Sequence, residues 1–316
     1  MMLPGSFRKK YVGTFIGLIV CAASLWYLAS AYQWQDVFPA LGAVQYQLLI
    51  VQIWGVHFCY ICLRTWRLYL LVRRINPEIS FADLYIITAI VVSLAILTPG
   101  QLGELLKVEV LKRRNLLNRL PGLGSLIAER FADLLVVAGI ACTGFFFADN
   151  ITRRYPVLAV GGGLCCVGLV VFFVLLHYLS RGKQSSWWSQ LRSGYIAPGL
   201  WVKTLVLTML SWGCVAWGWS LILAAVQVHL ALWELVWLLS LVTIGTIVSL
   251  VPGGFGVAEV LTVELLIELG VAPVAAQAGA LLLRMYGFIL VFFGLLHILY
   301  CGFVIFLKKY KDKPRQ

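Results

Sequence analysis

Charge is scarce in this 316-residue chain: Asp, Glu, Lys and Arg make up 12% of it, against 61% hydrophobic residues. So little polar surface cannot coat a soluble globule, which excludes an aqueous domain of any size. With a mean hydropathy of +0.93 and apolar runs from one end to the other, the composition points to an all-α polytopic membrane protein. The marks of several chemistries are missing too. His57, His177, His229 and His297 stand apart without metal-ligand spacing, which assigns them core or interfacial roles. No nucleophile is paired with a base, and no Gly-Lys-Ser/Thr follows a strand to make a phosphate loop. No catalytic residue, metal or cofactor is therefore expected. All eight cysteines lie inside apolar runs, where they behave as small hydrophobes, so neither disulfides nor zinc is implied, and Cys59-x-x-Cys62 reads as packing.

Acidic residues are the scarcer charge, 13 against 25 Lys and Arg. The resulting net charge of +12 could suggest nucleic acid, but the cations gather at the ends of apolar runs, the positive-inside pattern of a membrane protein. Arg8, Lys9 and Lys10 precede the first run, residues 11–32, which is too long for a signal h-region and is expected to span. A second helix over about 43–63 returns to a cytoplasmic cluster of Arg64, Arg67, Arg73 and Arg74. Further spans are expected over about 123–147, 157–179, 202–228 and 275–307. Arg153 and Arg154 fall outside, and a cytoplasmic linker over 180–200 carries Trp187, Trp188 and Tyr195. Both termini are expected in the cytoplasm, the second through the basic tail 308–316.

What is present in unusual form is a motif written twice. Leu97-Thr98-Pro99-Gly100-Gln101-Leu102-Gly103-Glu104 and Leu250-Val251-Pro252-Gly253-Gly254-Phe255-Gly256-Val257-Ala258-Glu259 each break an apolar run at Pro-Gly and restart it with a carboxylate. Proline cannot donate in a helical ladder and glycine favours non-helical dihedrals, so each motif predicts two half-helices joined inside the membrane. If 82–98 crossed fully, Lys112, Arg113, Arg114 and Arg119 would lie outside, which predicts a re-entrant hairpin from the cytoplasm; the second hairpin enters from outside. The expected architecture is thus six spans plus two re-entrant hairpins in a single membrane domain, 1–316.

The halves align at nearly constant offset. Pro99 pairs with Pro252, Glu104 with Glu259, Arg130 with Arg284, and Trp54-Gly55 with Trp212-Gly213. Approximate repeats over 32–147 and 201–307 would run in opposite senses, the plan of transporters that bind substrate at the repeat interface near the midplane. The ionisable residues read as intramembrane are Glu104, Lys107, Glu109, Glu129, Arg130, Asp133, Glu259, Glu264, Glu268 and Arg284. A charge near a helix centre costs about 3 kcal/mol on insertion scales, so each needs a partner or a wet cavity. Arg130 and Asp133 can pair at i, i+3. Arg284 has no acid within a turn and needs Glu104, Glu259 or an anionic ligand. Glu104 and Glu259 also suit helix capping, and the sequence leaves capping and transport coupling both open. Arginines with the amides of Gly100, Gly103, Gly253, Gly254 and Gly256 would suit a phosphate.

At these residues the chain resembles the membrane region of the lysylphosphatidylglycerol synthase/flippase family. The resemblance is carried by Pro99-Gly100 through Gly103-Glu104 with Lys107, Glu129-Arg130-Phe131-Ala132-Asp133-Leu134-Leu135, the second Pro-Gly motif through Glu259, and Arg284 with Tyr286. It implies a bacterial inner-membrane protein that moves an anionic or modified phospholipid, or a polyprenyl phosphate-linked lipid, between leaflets. A homo-oligomer or a lipid-synthesis enzyme as partner would fit it. The substrate-binding set it implies is Arg130, Arg284, Glu104, Glu259, Lys107, Glu129, Asp133 and Tyr286 with the motif glycines. A membrane-embedded lipid- or glycan-modifying enzyme and a glycosyltransferase partner subunit are the alternative expectations. The chain ends at Gln316 without the soluble aminoacyl-transfer domain of bifunctional synthases, so lipid aminoacylation is not expected of it.

Overall fold

The computed structural model describes residues 26–147 and 198–311, with isolated positions 19, 22, 23, 167, 168 and 171. Most of the first apolar run, the span expected over 157–179, the Arg153–Arg154 loop, nearly all of the 180–200 linker and the basic side chains of the tail lie outside the described residues. Those described are helical, with no strand among them. Among the described residues, four helices are long and apolar enough to cross a membrane: Tyr46–Val72, Gly199–Ala224, Leu232–Ser249 and Pro273–Cys301.

The chain runs through α1 (Trp34–Gly42), α2 (Tyr46–Val72) and α3 (Phe81–Ala95) to the first break, a 3-10 turn over Pro99–Glu104. Next come α4 (Leu105–Arg113), α5 (Arg119–Phe147), α6 (Pro198–Ala224) and α7 (Leu232–Ser249). A second 3-10 turn, Pro252–Gly254, then leads to α8 (Val257–Glu268) and α9 (Pro273–Lys311). Within α2 the ladder widens to a π turn at Gln52–Val56, where the Gln52 side chain lies against Gly218 of α6; a Cβ on Gly218 would overlap that amide.

Local chemistry sets the ends. Ser80 caps α3 by accepting from the Ala82 amide at 3.1 Å. Thr98, forced extended ahead of Pro99, stops it with φ −104° and ψ 146°. The Thr98 hydroxyl then binds both sides of the break, donating to Ala95 O at 2.8 Å and accepting from the Gly103 amide at 2.7 Å. A Cβ on Gly103 would come within 2.9 Å of that hydroxyl, so only glycine closes the turn without displacement. In the second motif Leu250 leaves α7 at φ +53°, and Gly253, Gly254 and Gly256 take φ of +65°, +61° and +79°.

Packing relates the halves reciprocally. Helix α2 packs on α6, α3 packs on α9 as α7 packs on α5, α4 meets α5 as α8 meets α9, and the two 3-10 turns touch. Exchanging each element for its counterpart leaves this set of contacts unchanged. One large cluster, including Ile222, Leu223, Leu238, Leu266 and Ala276, ties α6 to α7, α8 and α9; a smaller one around Leu68, Leu84, Ile87 and Leu111 ties α2 to α3 and α4.

Candidate functional site

Seven ionisable side chains from three segments converge beside the first break. Helix α2 supplies Arg64 and Arg67, the break and α4 supply Glu104 and Lys107, and α5 supplies Glu129, Arg130 and Asp133. Charge bias puts Arg64 and Arg67 in a cytoplasmic cluster; instead α2 continues to Val72 and both are buried. Arg67 is the hub. Its Nη1 donates to Asp133 Oδ1 at 2.6 Å and to Thr208 Oγ1 of α6 at 2.8 Å, its Nη2 to Asp133 Oδ2 at 3.2 Å, and its Nε to Glu129 Oε1 at 3.3 Å. Lys107 Nζ holds the other Glu129 oxygen at 2.8 Å and stands 3.5 Å from Glu104 Oε2. Arg64 donates to Glu104 Oε1 at 2.8 Å and to the Tyr60 hydroxyl at 2.7 Å.

Arg130 closes the group. Its Nη2 lies 2.5 Å from Asp133 and 3.0 Å from Glu104, and its Nη1 donates to Gln101 Oε1 at 3.3 Å. Four cations thus face three carboxylates, a surplus of one positive charge. The other six side chains are at most 12% exposed, whereas that of Arg130 is 30% exposed. Burying each ion costs several kcal/mol, recovered only where every charge keeps its partners. The network therefore fixes the relation of α2, α4 and α5, and Arg130 is its most exposed member.

The second motif builds a smaller unit. Arg284 of α9 grips both oxygens of Glu259 in the first turn of α8, through Nε to Oε1 and through Nη2 to Oε2 at 2.7 Å. It also donates to the carbonyls of Gly253 at 2.8 Å and Gly254 at 3.1 Å, and its guanidinium lies 4.6 Å from the centre of the Phe255 ring. Of the two partners anticipated for Arg284, the structure selects Glu259. The positive φ of the glycines turns their carbonyls to this arginine.

Other candidates are placed elsewhere. Tyr286 meets His57 Nδ1 at 3.2 Å, linking α9 to α2. Gly100 lies in the first 3-10 turn. Glu109, expected within the membrane, sits near the end of α4 with Arg113 and Arg119 at 3.0 and 2.9 Å. Hydrogen bonds from Arg113 and Arg119 hold its carboxyl below the usual range. Glu264 is exposed and accepts from the Tyr27 hydroxyl at 2.8 Å, and Glu268 is exposed.

Where the breaks meet, a cleft of about 100 Å³ opens between Ile96, Thr98 and Gln101 on one side and Thr246, Val251, Gly253 and Gly254 on the other. Gly253 makes the close approach possible: a Cβ there would stand 2.7 Å from the Phe255 ring and 3.3 Å from the Ile96 carbonyl oxygen. Gln101 holds φ at +58°, a conformation side chains rarely adopt, and joins this cleft to Arg130. Sequence reasoning missed Arg64, Arg67, Gln101 and Thr208. The available signal was the i, i+3 spacing of the two arginines, followed by the apolar stretch Leu68–Val72.

A family model described as the lysylphosphatidylglycerol synthase TM region matches residues 14–294. No curated protein matches the chain.

Proposed function

Because this chain belongs to the lysylphosphatidylglycerol synthase transmembrane-region family, lipid-related proteins of the membrane, we propose that it translocates lipids, carrying an anionic, phosphate-bearing headgroup between leaflets. One observation carries the reading: a buried network with one cation in excess, whose half-open member, Arg130, stands beside the junction of two helix breaks. A phosphate would supply the missing negative charge and accept from guanidinium, while acyl tails stay in lipid.

In this reading the first network binds the headgroup, and Arg284 with Glu259 holds the second break in shape. The donors of Arg284 are engaged by Glu259 and the glycine carbonyls, which favours a structural role for it. The reciprocal packing supports two repeats, 32–147 and 201–307, of opposite orientation, whose re-entrant hairpins meet at their tips. The proposed setting is the bacterial inner membrane with both termini cytoplasmic. Both motif glutamates are bound by arginine, which favours positioning over acid/base chemistry.

The test is transfer of a fluorescent anionic phospholipid between leaflets of proteoliposomes. Arg130→Gln is expected to slow it about tenfold or more, as loss of a charge-assisted contact implies. Arg113→Gln, at the exposed end of α4, leaves it unchanged. Transfer by Arg130→Gln at the wild-type rate would remove the reading.

A further inference from the structure

A second cavity, of about 180 Å³, lies where α2, α3 and α9 meet and shares no lining residue with the cleft between the breaks. Six rings line it: Trp54, His57 and Phe58 from α2, Tyr85 from α3, and Phe293 and His297 from α9. They form two rows. Phe58, Tyr85 and His297 follow one another with centroids 6.0 and 5.7 Å apart, and Trp54, Phe293 and His57 with centroids 5.5 and 5.9 Å apart. Trp54 and Phe58 are exposed on a spanning helix, so the mouth opens sideways to lipid. The π turn of α2 ends immediately before His57, and turns of this kind gather at functional sites.

Two imidazoles set the polarity of the cavity. An imidazole nitrogen carries either a proton or one lone pair, so a single hydrogen bond uses it up. His297 Nδ1 stands 2.7 Å from the Phe293 carbonyl oxygen, which only accepts; Nδ1 therefore holds the proton, and Nε2 is left as an acceptor. His57 Nδ1 meets the Tyr286 hydroxyl, which has no other acceptor among the described residues, so the tyrosine proton goes to Nδ1 and the His57 hydrogen stays on Nε2. Neither Nε2 has a partner among the described residues, although His57 is only 7% exposed. A buried N–H left unanswered is costly, and here it faces a cavity that a ligand can fill.

The volume is the share of about six waters, below the ~300–1,000 Å³ of pockets that enclose a whole small molecule, so one end of a ligand enters and the rest stays in lipid. No carboxylate, lysine or arginine lines the cavity, which disfavours an ionic headgroup. A bare acyl chain would leave the His57 N–H unpaired. A ring bearing hydroxyl groups meets every condition: it packs among the aromatic side chains, accepts from His57 and donates to His297.

We propose that this cavity binds the ring of a membrane-dissolved quinol, the reduced form of a prenylated quinone, with its tail leaving through the mouth. Tyr286 is a positioning residue that fixes the His57 tautomer. A quinone only accepts, and would set a carbonyl oxygen against the His297 lone pair. The site therefore favours the reduced form, by binding alone and independently of lipid transfer.

The experiment titrates the protein in phosphatidylcholine nanodiscs with decylubiquinol, decylubiquinone and decylbenzene, whose ring bears no oxygen, and reads affinity from the saturable rise in unfolding temperature. The quinol is expected to bind about tenfold more tightly than either of the others. His297→Phe keeps the ring and removes the acceptor, so it should bring the quinol down to the level of the quinone and leave the quinone unchanged. Ala89→Leu, which fills the cavity, should abolish the quinol effect. Photo-labelling of the wild type by an azido-ring analogue of the quinol, needing no variant, should mark 53–58 and 293–297. No saturable binding of the quinol, as for a cavity holding water only, overturns the proposal. So does equal binding of decylbenzene, a quinol preference intact in His297→Phe, or label confined to other segments.

Discussion

The two Pro-Gly breaks begin from nearly the same residues and end in different electrostatic states. At the first, Glu104 is shared by Arg64, Arg130 and Lys107 inside a seven-membered network that carries one charge too many. At the second, Glu259 has Arg284, and the rest of that guanidinium is spent on two glycine carbonyls and a phenyl face. The difference traces to other helices: α2 contributes two arginines to the first break, while the second keeps to itself. A repeated motif can thus supply the same backbone device twice, with neighbouring helices deciding which copy stays closed and which faces a ligand.

The largest effect expected from this asymmetry is at the hub. Arg67→Ala leaves Glu129 with Lys107 alone and takes from Asp133 its two-pronged partner, and should lower stability by about 3 kcal/mol, read by thermal unfolding in detergent. Next comes a contrast of double variants. Arg284→Leu alone should cost about 3 kcal/mol, but Glu259→Leu with Arg284→Leu, which removes a closed pair, should return to within about 1 kcal/mol of wild type. Glu104→Leu with Arg130→Leu should show no such recovery, because Arg64, Lys107 and Asp133 lose partners. Equal recovery in both doubles would break the comparison.

Backbone changes come third and should have opposite signs at the two breaks. Gly253→Ala is expected to destabilise by about 2 kcal/mol through its positive φ and the contact with Phe255, whereas Gln101→Gly should stabilise by up to about 1 kcal/mol. The smallest effect is at Glu109, outside both groups. Its folded-state pKa is depressed, so its contribution is complete above the ordinary carboxylate range and disappears as pH falls through the folded value. Arg119→Ala should therefore shift unfolding slightly near neutral pH, lose that difference in acid, and lose it in high salt.

Much of this was legible in the chain. Proline and glycine declare the breaks because they fail in a helix, and Arg130 and Arg284 stand out because a lone cation in an apolar run demands a partner. Arg64 and Arg67 were not legible for the opposite reason: at the end of an apolar run, a buried arginine looks like a cytoplasmic one. The sequence also holds no sign that Gln101 takes a positive φ, since that depends on the turn closing around Thr98 and Gly103. The pairing of Glu259 with Arg284 was a choice between two acids that only the fold decides.

The reciprocal packing has a consequence for biosynthesis. Helix α3 rests on α9, where a Cβ on Gly294 would collide with Ser93, yet about 200 residues separate them in the chain. At ~5–20 residues per second the ribosome needs on the order of ten to forty seconds to deliver the partner. Through that interval α3 must be retained by the insertion machinery or by lipid with its α9-facing side bare. Slowing elongation between the halves should therefore expose the nascent chain to membrane quality-control proteases, while a matching delay after Lys311 should not.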